Sequence, residues 1–223
     1  MLHLTKDFIN FFQGLEKNNN KEWFDVNRKT YEKAVKEPLK NIVDALIVKV
    51  QELDPSIQIT SKDALFRINR DIRFSKDKTP YNVHISANIA KGGKKSHHSG
   101  FYLMVKADKL MIGGGAYMLD KDQLKKIRTE ISYCMEEFND LLNDKEFKKL
   151  FGTIQGEQNK VIPKEFKEDA EKQPLLANKQ FYYMTEYVGA KDILREDLVD
   201  FVFNHYKVGH KVNAFMDRAM ELG

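Results

Sequence analysis

Arginine and other polar side chains alternate with apolar ones over residues 66–74, where the sequence reads FRINRDIRF. If this run is a β-strand, successive side chains point to opposite faces, so its polar members lie together on one face of a sheet. Those members are Arg67, Asn69, Asp71 and Arg73. Guanidinium groups bind phosphate or carboxylate in a bidentate manner, and Lys76 and Lys78 add positive charge in the turn that follows. The pattern therefore predicts a surface that attracts anions.

A second alternating run covers residues 81–89, after a charged turn at 75–80. As a strand beside the first, it would place Asn82, His84 and Ser86 on the same sheet surface. Neighbouring cations lower the pKa of a histidine and favour its neutral form, which can accept a proton. His84 is therefore a candidate acid or base beside the arginines, and a structural role on the strand is the alternative.

Arg70 interrupts the alternation, because it falls on the apolar side of the first predicted strand. Either a β-bulge re-aims its side chain, or the guanidinium is partly buried and paired, most simply with an acid. Gly113, Gly114 and Gly115 stand inside another strand-like pattern, where glycine costs stability. They indicate the close approach of a ligand or chain segment, a bulge, or tight packing against a helix.

The positive charge of the chain is concentrated around the two alternating runs. Residues 61–100 contain nine lysines and arginines against three aspartates, whereas the rest of the chain has 28 basic and 30 acidic residues. The formal net charge of +4 therefore arises in this segment alone. Such a local field raises the concentration of anionic partners. Solvated lysines and surface arginines that pair with acids are the alternative explanation.

The composition of the 223-residue chain, with 42% hydrophobic and 31% charged residues, is that of an ordinary globular protein. The start, MLHLTKDFINFF, lacks the features of a signal peptide, and no uncharged apolar run reaches the ~18 residues of a membrane span. We therefore expect a cytoplasmic protein without membrane association. Cys134 is the single cysteine, which excludes an internal disulfide.

The common motifs of nucleotide and metal sites do not occur in the sequence. Neither G-x-G-x-x-G nor G-x-x-x-x-G-K-[ST] is found, which argues against dinucleotide sites and NTP hydrolysis of those types. His97 and His98 are adjacent, but no matching carboxylate motif, HExxH or paired cysteines accompany them, so we predict no metal site. The pattern points to no particular cofactor.

A helix is predicted for residues 21–36, with Asn20 as its N-cap. Trp23, Asn27 and Tyr31 share one face of it, at i, i+4 and i+8. Amide and phenol groups can orient a ligand, so this helix is predicted to roof part of the arginine-bearing sheet face. An aromatic stripe at helical spacing is otherwise typical of a core, in which Asn27 does not fit.

Pro38 is predicted to kink or restart this helix, because proline lacks the N–H that a helix interior needs. After it, apolar residues recur at helical spacing, which is typical of a helix packed in the core. They are Leu39, Ile42, Val43, Leu46, Val50 and Leu53.

Short links join four strand-like runs and favour an antiparallel meander. These runs cover residues 66–74, 81–89, 101–106 and 110–118. A later run, FYYMTEYV at 181–188, has the aromatic and β-branched content of a strand. The predicted fold class is α+β: a single domain over residues 1–223, with a mainly antiparallel sheet of about five strands (a four-strand meander plus one late strand) flanked by helices.

Three segments occur in an order and at a spacing that resemble a known family. They are NNNKEWFDVNRKTYEKAVKEP at 18–38, FRINRDIRFSKDKTPY at 66–81 and GGGAYMLDKDQLKKIR at 113–128. As a set they resemble the conserved hypothetical proteins grouped as domain of unknown function 2461, over nearly the whole chain. The resemblance implies one domain of about this length in a cytoplasmic setting. It implies no activity, ligand or catalytic residue.

Three functional hypotheses follow. In the first, the arginine-bearing face binds an anionic ligand, and phosphorylated small molecules rank ahead of nucleic acid because the net charge is only +4 and no aromatic-interleaved RNA motif is visible. In the second, the protein is an enzyme acting on a phosphorylated or acidic substrate, with His84 or Asp71 as acid or base. In the third, it is a structural or protein–protein interaction domain whose arginines serve folding, which requires that no cavity lie near Arg67.

Overall fold

The computed structural model describes residues 2–221 and shows an α+β fold built on one antiparallel sheet of four strands. The strands are β1 (His84–Ala90), β2 (Gly100–Lys106), β3 (Lys109–Ala116) and β4 (Phe181–Val188), adjacent in this order. The predicted fold class and the late strand are confirmed. The predicted extent of the domain, residues 1–223, includes positions outside the described residues and stays a prediction.

Helices precede the sheet, interrupt it and follow it along the chain. Before β1 lie α1 (Lys6–Lys17), α2 (Lys21–Val26), α3 (Arg28–Tyr31), α4 (Glu37–Leu53) and α5 (Ser61–Ala64). Between β3 and β4 lie α6 (Lys121–Tyr133), α7 (Met135–Asn143), α8 (Lys145–Phe151) and α9 (Lys167–Lys172), with 3₁₀ turns at Lys164–Phe166 and Pro174–Ala177. After β4 come α10 (Ala190–Ile193) and α11 (Leu198–Glu221). None of the helices that the structure describes combines the length and the apolar composition of a membrane span.

One face of the sheet belongs to the main core. Cross-strand pairs such as Ala87–Leu103 and Leu103–Ile112 align apolar side chains on this face. The apolar stripes of α1, α4 and α11 join it in one buried cluster. The sheet contributes Ile85, Ala87, Ile89, Phe101, Leu103, Val105, Leu110 and Ile112 to this cluster.

The long helix α11 connects this core to a second one. Its first half packs in the main core, and its second half packs with α6, α7 and α8. At the sheet, Tyr183 of β4 lies between Gly114 of β3 and Gly209 of α11, and its hydroxyl donates a hydrogen bond to Asn213 Oδ1 at 3.0 Å. A Cβ atom at either glycine would overlap the Tyr183 side chain. Tight packing against a helix therefore accounts for Gly114.

Residues 66–74 do not form the predicted strand. Ile68 is buried but Phe74 is 97% exposed, so the alternating side chains have no continuous apolar face to bury. Pro80 has no N–H with which to extend a ladder of hydrogen bonds to the next segment. The segment therefore contributes only isolated bridges, and the sheet has a three-strand meander plus the late strand. The bridges join Leu65 to Ala87 and Asn69 to Tyr81.

Arg70 closes the turn that follows this segment. Its guanidinium lies 2.5 Å from Asp77 Oδ2 and donates hydrogen bonds to the Thr79 carbonyl, at 3.2 Å, and to the Thr79 hydroxyl. The Arg70 side chain is 25% exposed. Hydrogen bonds from the Thr79 N–H and from Arg70 lower the pKa of Asp77 to about 2. The prediction that Arg70 is partly buried and paired with an acid is confirmed.

Replacing Arg70 by alanine should lower the free energy of unfolding by about 1 kcal/mol, because the turn loses its bonds to Asp77 and Thr79 while the core is untouched. Urea denaturation measures the loss, and amide hydrogen exchange should accelerate over residues 71–79. Arg73→Ala is the matched control, since Arg73 is exposed and forms its ion pair with Asp71, two residues away. Its effect should be clearly smaller than that of Arg70→Ala. Equal effects of the two substitutions would contradict this role for Arg70.

The predicted helix at 21–36 is divided into α2, α3 and a π-helical segment, Glu32–Lys36. As predicted, the Asn20 side chain caps it by accepting a hydrogen bond from the Trp23 N–H at 2.9 Å. The π-helical hydrogen bonding ends just before Pro38, and α4 follows with helical dihedral angles kept at Lys36 and Glu37. The helix type changes beside Pro38, and a kink or restart stays a prediction. The core helix is confirmed, with five of its six predicted apolar residues buried and the sixth partly buried.

Candidate functional site

The face of the sheet opposite the core is the floor of a cavity of about 810 Å³. In the part of the chain that the structure describes, none of the lining residues belongs to a helix, so this face is not sealed. The floor is formed by His84, Ser86 and Asn88 of β1, Tyr102 and Met104 of β2, Met111 and Gly115 of β3, and Tyr182 and Met184 of β4. Side chains from the segment 66–71 and the loop 94–98, with Tyr117 and Met118, complete the lining.

Glycines occupy three positions on the cavity side of β2 and β3. Gly100 of β2 pairs with Gly115 of β3, and Gly113 pairs with Tyr102. The Asn88 side chain covers Gly100, and the Met184 side chain lies against Gly113. A Cβ atom at Gly113 or Gly115 would collide with the backbone of β4, and Gly115 has a φ of +111°. The close approach indicated by the glycine triplet is therefore made by β4.

Arg67 and Lys95 supply positive charge that is not used within the protein. Among residues 2–221, neither side chain makes an ion pair or a hydrogen bond, and both line the cavity. The other two cations of the lining are engaged: Arg70 in its turn, and Lys94, whose Nζ donates to two backbone carbonyl groups at 2.7 and 3.3 Å. Unpaired charges are therefore available at this cavity to an anionic group.

Asp71 is the carboxylate among the described lining residues, and Arg73 engages it. Arg73 Nε lies 2.9 Å from Asp71 Oδ1, and Arg73 Nη2 lies 2.6 Å from Oδ2. These hydrogen bonds lower the pKa of Asp71, and the charge of Arg67 adds to the effect. An ionised carboxylate with a lowered pKa is a weak base. The acid or base role predicted for His84 or Asp71 therefore suits His84 better.

His84 lies at the start of β1 and is half-buried in the wall of the cavity. Burial lowers its pKa, and the charge of Lys106, its cross-strand partner on β2, lowers it further. The imidazole is therefore neutral at pH 7 and able to accept a proton or share a hydrogen bond. His84 and Arg67 line the same cavity, and a catalytic role for His84 stays a prediction.

Arg73, Lys76 and Lys78 were predicted to join the site, but they do not line the cavity. Arg73 is held by Asp71, Lys78 Nζ donates to the Ile72 carbonyl at 2.9 Å, and Lys76 is exposed. Because residues 66–74 are not a strand, their alternation does not put the arginines on one face. Of the predicted residues, the structure brings together Arg67, Asn69, Asp71, Asn82, His84 and Ser86.

Trp23, Asn27 and Tyr31 lie outside the cavity lining, and the predicted roof over the sheet face is wrong. The rings of Trp23 and Tyr31 pack against Phe11, with centroids 5.5 and 5.6 Å away. Burial raises the pKa of Tyr31 to about 12. Asn27 Nδ2 donates to the Trp23 carbonyl at 2.9 Å at the end of α2, which explains an amide on this stripe. The stripe is part of the main core.

The predicted site omitted much of the actual lining. The apolar part comes from alternate positions of β2, β3 and β4, and its signal in the sequence was the same period-two pattern that located the core face. These residues are Tyr102, Met104, Met111, Tyr182 and Met184. Lys95 and His98 come from a glycine-rich basic loop whose sequence alone does not indicate where its side chains lie.

His97 and His98 have different neighbours. His97 Nδ1 lies 2.9 Å from the Met118 carbonyl oxygen, and His98 Nδ1 lies 3.6 Å from Asp217 Oδ1. His98 separates the sheet cavity from a smaller one of about 630 Å³ beside α11. Within residues 2–221, no three His, Cys, Asp or Glu side chains are grouped so that they could hold a metal ion.

A larger groove, of about 1110 Å³, lies between α7, α8 and α11. Its charged lining mixes acids and lysines, so it offers no consistent charge to a ligand. The acids are Glu136, Glu137, Asp140, Asp144 and Glu146, and the lysines are Lys149, Lys207 and Lys211. The sheet cavity is the better candidate because its unpaired charges have one sign.

Comparison with models of protein families identifies the family of this chain. A family model described as conserved hypothetical protein (DUF2461) matches residues 7–215. The chain belongs to the DUF2461 family. The match covers the three segments that carry the resemblance, so the resemblance is confirmed. The residues that line the sheet cavity lie between positions 66 and 184, so the whole cavity falls within the DUF2461 match. No curated protein sequence matches the chain.

Proposed function

We propose that this DUF2461 protein binds an anionic small molecule, such as a phosphorylated metabolite, in the sheet cavity. The observation that carries the proposal is the presence of Arg67 and Lys95, without internal partners among the described residues, at a cavity of about 810 Å³. This volume lies in the range of roughly 300–1,000 Å³ that is usual for small-molecule sites.

The charge balance of the lining supports an anionic ligand. Four cations, Arg67, Arg70, Lys94 and Lys95, line the cavity with one carboxylate, Asp71, which already pairs with Arg73 outside it. A concave site with walls of low dielectric strengthens the field of such charges. Free guanidinium and ammonium groups form charge-assisted hydrogen bonds with phosphate or carboxylate oxygens.

A small molecule suits the cavity better than nucleic acid does. Binding along a nucleic-acid backbone needs cations spread over a long surface. Among the described lining residues, two cations are unpaired, Arg67 and Lys95, and the formal net charge of the whole chain is +4. The third hypothesis, in which the arginines serve folding alone, required that no cavity lie near Arg67, whereas Arg67 lines one.

An enzyme acting on a phosphorylated or acidic substrate is the second candidate function. The neutral, half-buried His84 in the wall of the cavity favours it, because a neutral imidazole is a competent general base near neutral pH. Turnover is the deciding measurement. Ligands that bind are incubated with the protein and followed by mass spectrometry, and unchanged ligands would leave simple binding as the function.

A double substitution tests the anion site. The protein is screened by thermal shift with inorganic phosphate, pyrophosphate, glucose 6-phosphate and AMP, and the affinity of each hit is measured by calorimetry. Arg67→Ala combined with Lys95→Ala should weaken a hit by about tenfold or more, because two charge-assisted contacts are lost. The melting temperature without ligand should hardly change, since both side chains are free of internal bonds.

The matched control is Lys62→Ala combined with Lys76→Ala. It removes the same formal charge from the basic segment 61–100, but both residues lie outside the cavity lining. The control should therefore weaken binding no more than about twofold, through the long-range field alone. Equal losses in the two double variants, or no stabilising compound in the whole screen, would contradict the proposal.

A further inference from the structure

The floor of the sheet cavity is largely apolar, in contrast to the charged side chains that also line the cavity. On the solvent face of an antiparallel sheet, polar side chains are the usual occupants. Here His84, Ser86 and Asn88 occupy the β1 side, but three methionines and two tyrosines occupy the rest of the floor, and all five are only partly exposed. Met104 pairs directly with Met111 across β2 and β3. These residues thus form a contiguous apolar surface under the cavity.

Exposed apolar side chains extend this surface at its margin. Phe66, Tyr117 and Met118 are 37%, 63% and 52% exposed, and all three line the cavity. The Tyr117 and Tyr182 rings meet edge to face, with centroids 5.4 Å apart. Clustered exposed apolar groups of this kind mark binding surfaces more often than isolated ones do.

The side chains of the floor suit an aromatic ring. Asn88 covers Gly100 and Met184 lies against Gly113, so a ligand would meet side chains there. Tyr102 and Tyr182 stand opposite Gly113 and Gly115 in the strand register. Methionine sulfur and tyrosine rings at the sides provide the polarisable contacts that aromatic rings favour.

The charged and the apolar parts of the cavity lie on different strands, which indicates how a ligand would be oriented across the sheet. Arg67 comes from the segment that bridges to β1, and Lys95 from the loop between β1 and β2. Met111 and Met184 lie on β3 and β4, farther across the sheet. At a spacing of about 4.8 Å between strands, β1 and β4 are roughly 14 Å apart. That distance accommodates an anionic group on the β1 side and a ring system on the β3 and β4 side.

We infer that the ligand of this cavity is an aromatic phosphate or carboxylate, whose anionic group contacts Arg67 and Lys95 while its flat ring lies on the methionine and tyrosine floor. The inference rests on the proposed function, since it adds a ring to the anion already proposed. It predicts that neither half of the ligand accounts for the affinity alone.

Three probes separate the two halves: 1-naphthyl phosphate, methyl phosphate and 1-naphthol. Calorimetry on the full chain should show 1-naphthyl phosphate binding about tenfold more tightly than either of the others, because it alone contacts both the cations and the apolar floor. A short oligothymidylate is added as a competitor of 1-naphthyl phosphate, to test the same face for single-stranded nucleic acid.

Substitutions on the floor provide the matched test. Met104→Thr combined with Met111→Thr keeps residues suited to a strand but removes the cross-strand pair of thioethers. It should weaken 1-naphthyl phosphate about fivefold and leave methyl phosphate unchanged. Val188→Thr is the control, because it lies on the same face of β4, is 68% exposed and does not line the cavity. Circular dichroism spectra and melting temperatures confirm that each variant is folded.

Each outcome bears on a different claim. Equal affinities for methyl and 1-naphthyl phosphate, both lost on Arg67→Ala, would overturn the aromatic ligand and leave the anion site standing. Equal affinities for 1-naphthol and 1-naphthyl phosphate would overturn the anion site. An oligothymidylate that displaces the probe and binds more tightly would assign the face to nucleic acid and overturn both, as would the absence of binding by every probe.

Discussion

Replacing Gly209 by alanine should destabilise the protein by about 3 kcal/mol, although alanine is the better helix former by about 1 kcal/mol. Gly209 is buried in the middle of α11 and packs on the Tyr183 ring. The three atoms nearest to a Cβ at this position all belong to the Tyr183 side chain, well inside van der Waals contact. Tyr183 cannot move aside easily, because it is fully buried against Phe147 and Phe151.

A double-mutant cycle tests whether this overlap is the cause. Tyr183→Leu removes the ring, so Gly209→Ala should cost about 2 kcal/mol less in that background than in the wild-type protein. Asn204→Ala is the control for helix propensity, because Asn204 is exposed on the same helix. Urea denaturation gives the four unfolding free energies of the cycle. The same cost for Gly209→Ala in both backgrounds would contradict the packing argument.

Replacing Asp217 by asparagine should stabilise the protein by about 2 kcal/mol near pH 7.5 and hardly at all near pH 4. Burial is the main reason that the pKa of Asp217 is raised from its ordinary 3.8 to about 6, and the nearby charge of Asp54 adds to this, while the Ser99 N–H and His98 oppose it. The folded protein therefore holds this proton more tightly than the unfolded chain does. The stabilisation present below about pH 4 is lost as pH rises through 6.

Asparagine cannot ionise, but it keeps an oxygen that can accept the hydrogen bond now made by the Ser99 N–H to Asp217 Oδ1 at 2.8 Å. Unfolding free energies of the variant and the wild-type protein are compared from about pH 4 to 8. Glu221→Gln is the control, because Glu221 lines the same small cavity but its side chain is 58% exposed. A stability difference for Asp217→Asn that does not change with pH would show that burial of the charge is not its cause.

The helices were the part of the fold that local sequence predicted best. Asn20 caps α2 through its own side chain, and the change from π-helix to α-helix lies beside Pro38, which lacks an N–H. The apolar residues of α4 are buried because helical spacing alone puts them on one face. These interactions act over a few residues, so the residue types suffice to predict them.

The run at 66–74 shows where local pattern fails. Its apolar and polar residues alternate except at Arg70, yet a strand also needs a partner that continues the hydrogen-bond ladder, and the ladder stops at Pro80. Arg70 was predicted to be paired with an acid, and its bonds to Asp77 and Thr79 close a turn instead of extending a strand. Arg73 thereby left the predicted face, while Arg67 stayed on it.

Residue types alone predicted the side chains that share a face of β1, the concentration of positive charge in residues 61–100, and the family to which the chain is similar. Periodicity and composition are local properties, and they singled out Arg67 and His84, which both line the cavity. The fold was needed to show that this sheet face is open, that α1, α4 and α11 gather on the other side, and that Lys95, Met111 and Met184 share a cavity with Arg67. Strand partners, and the helices that cover a face, are selected by contacts between segments far apart in the chain, which no local pattern records.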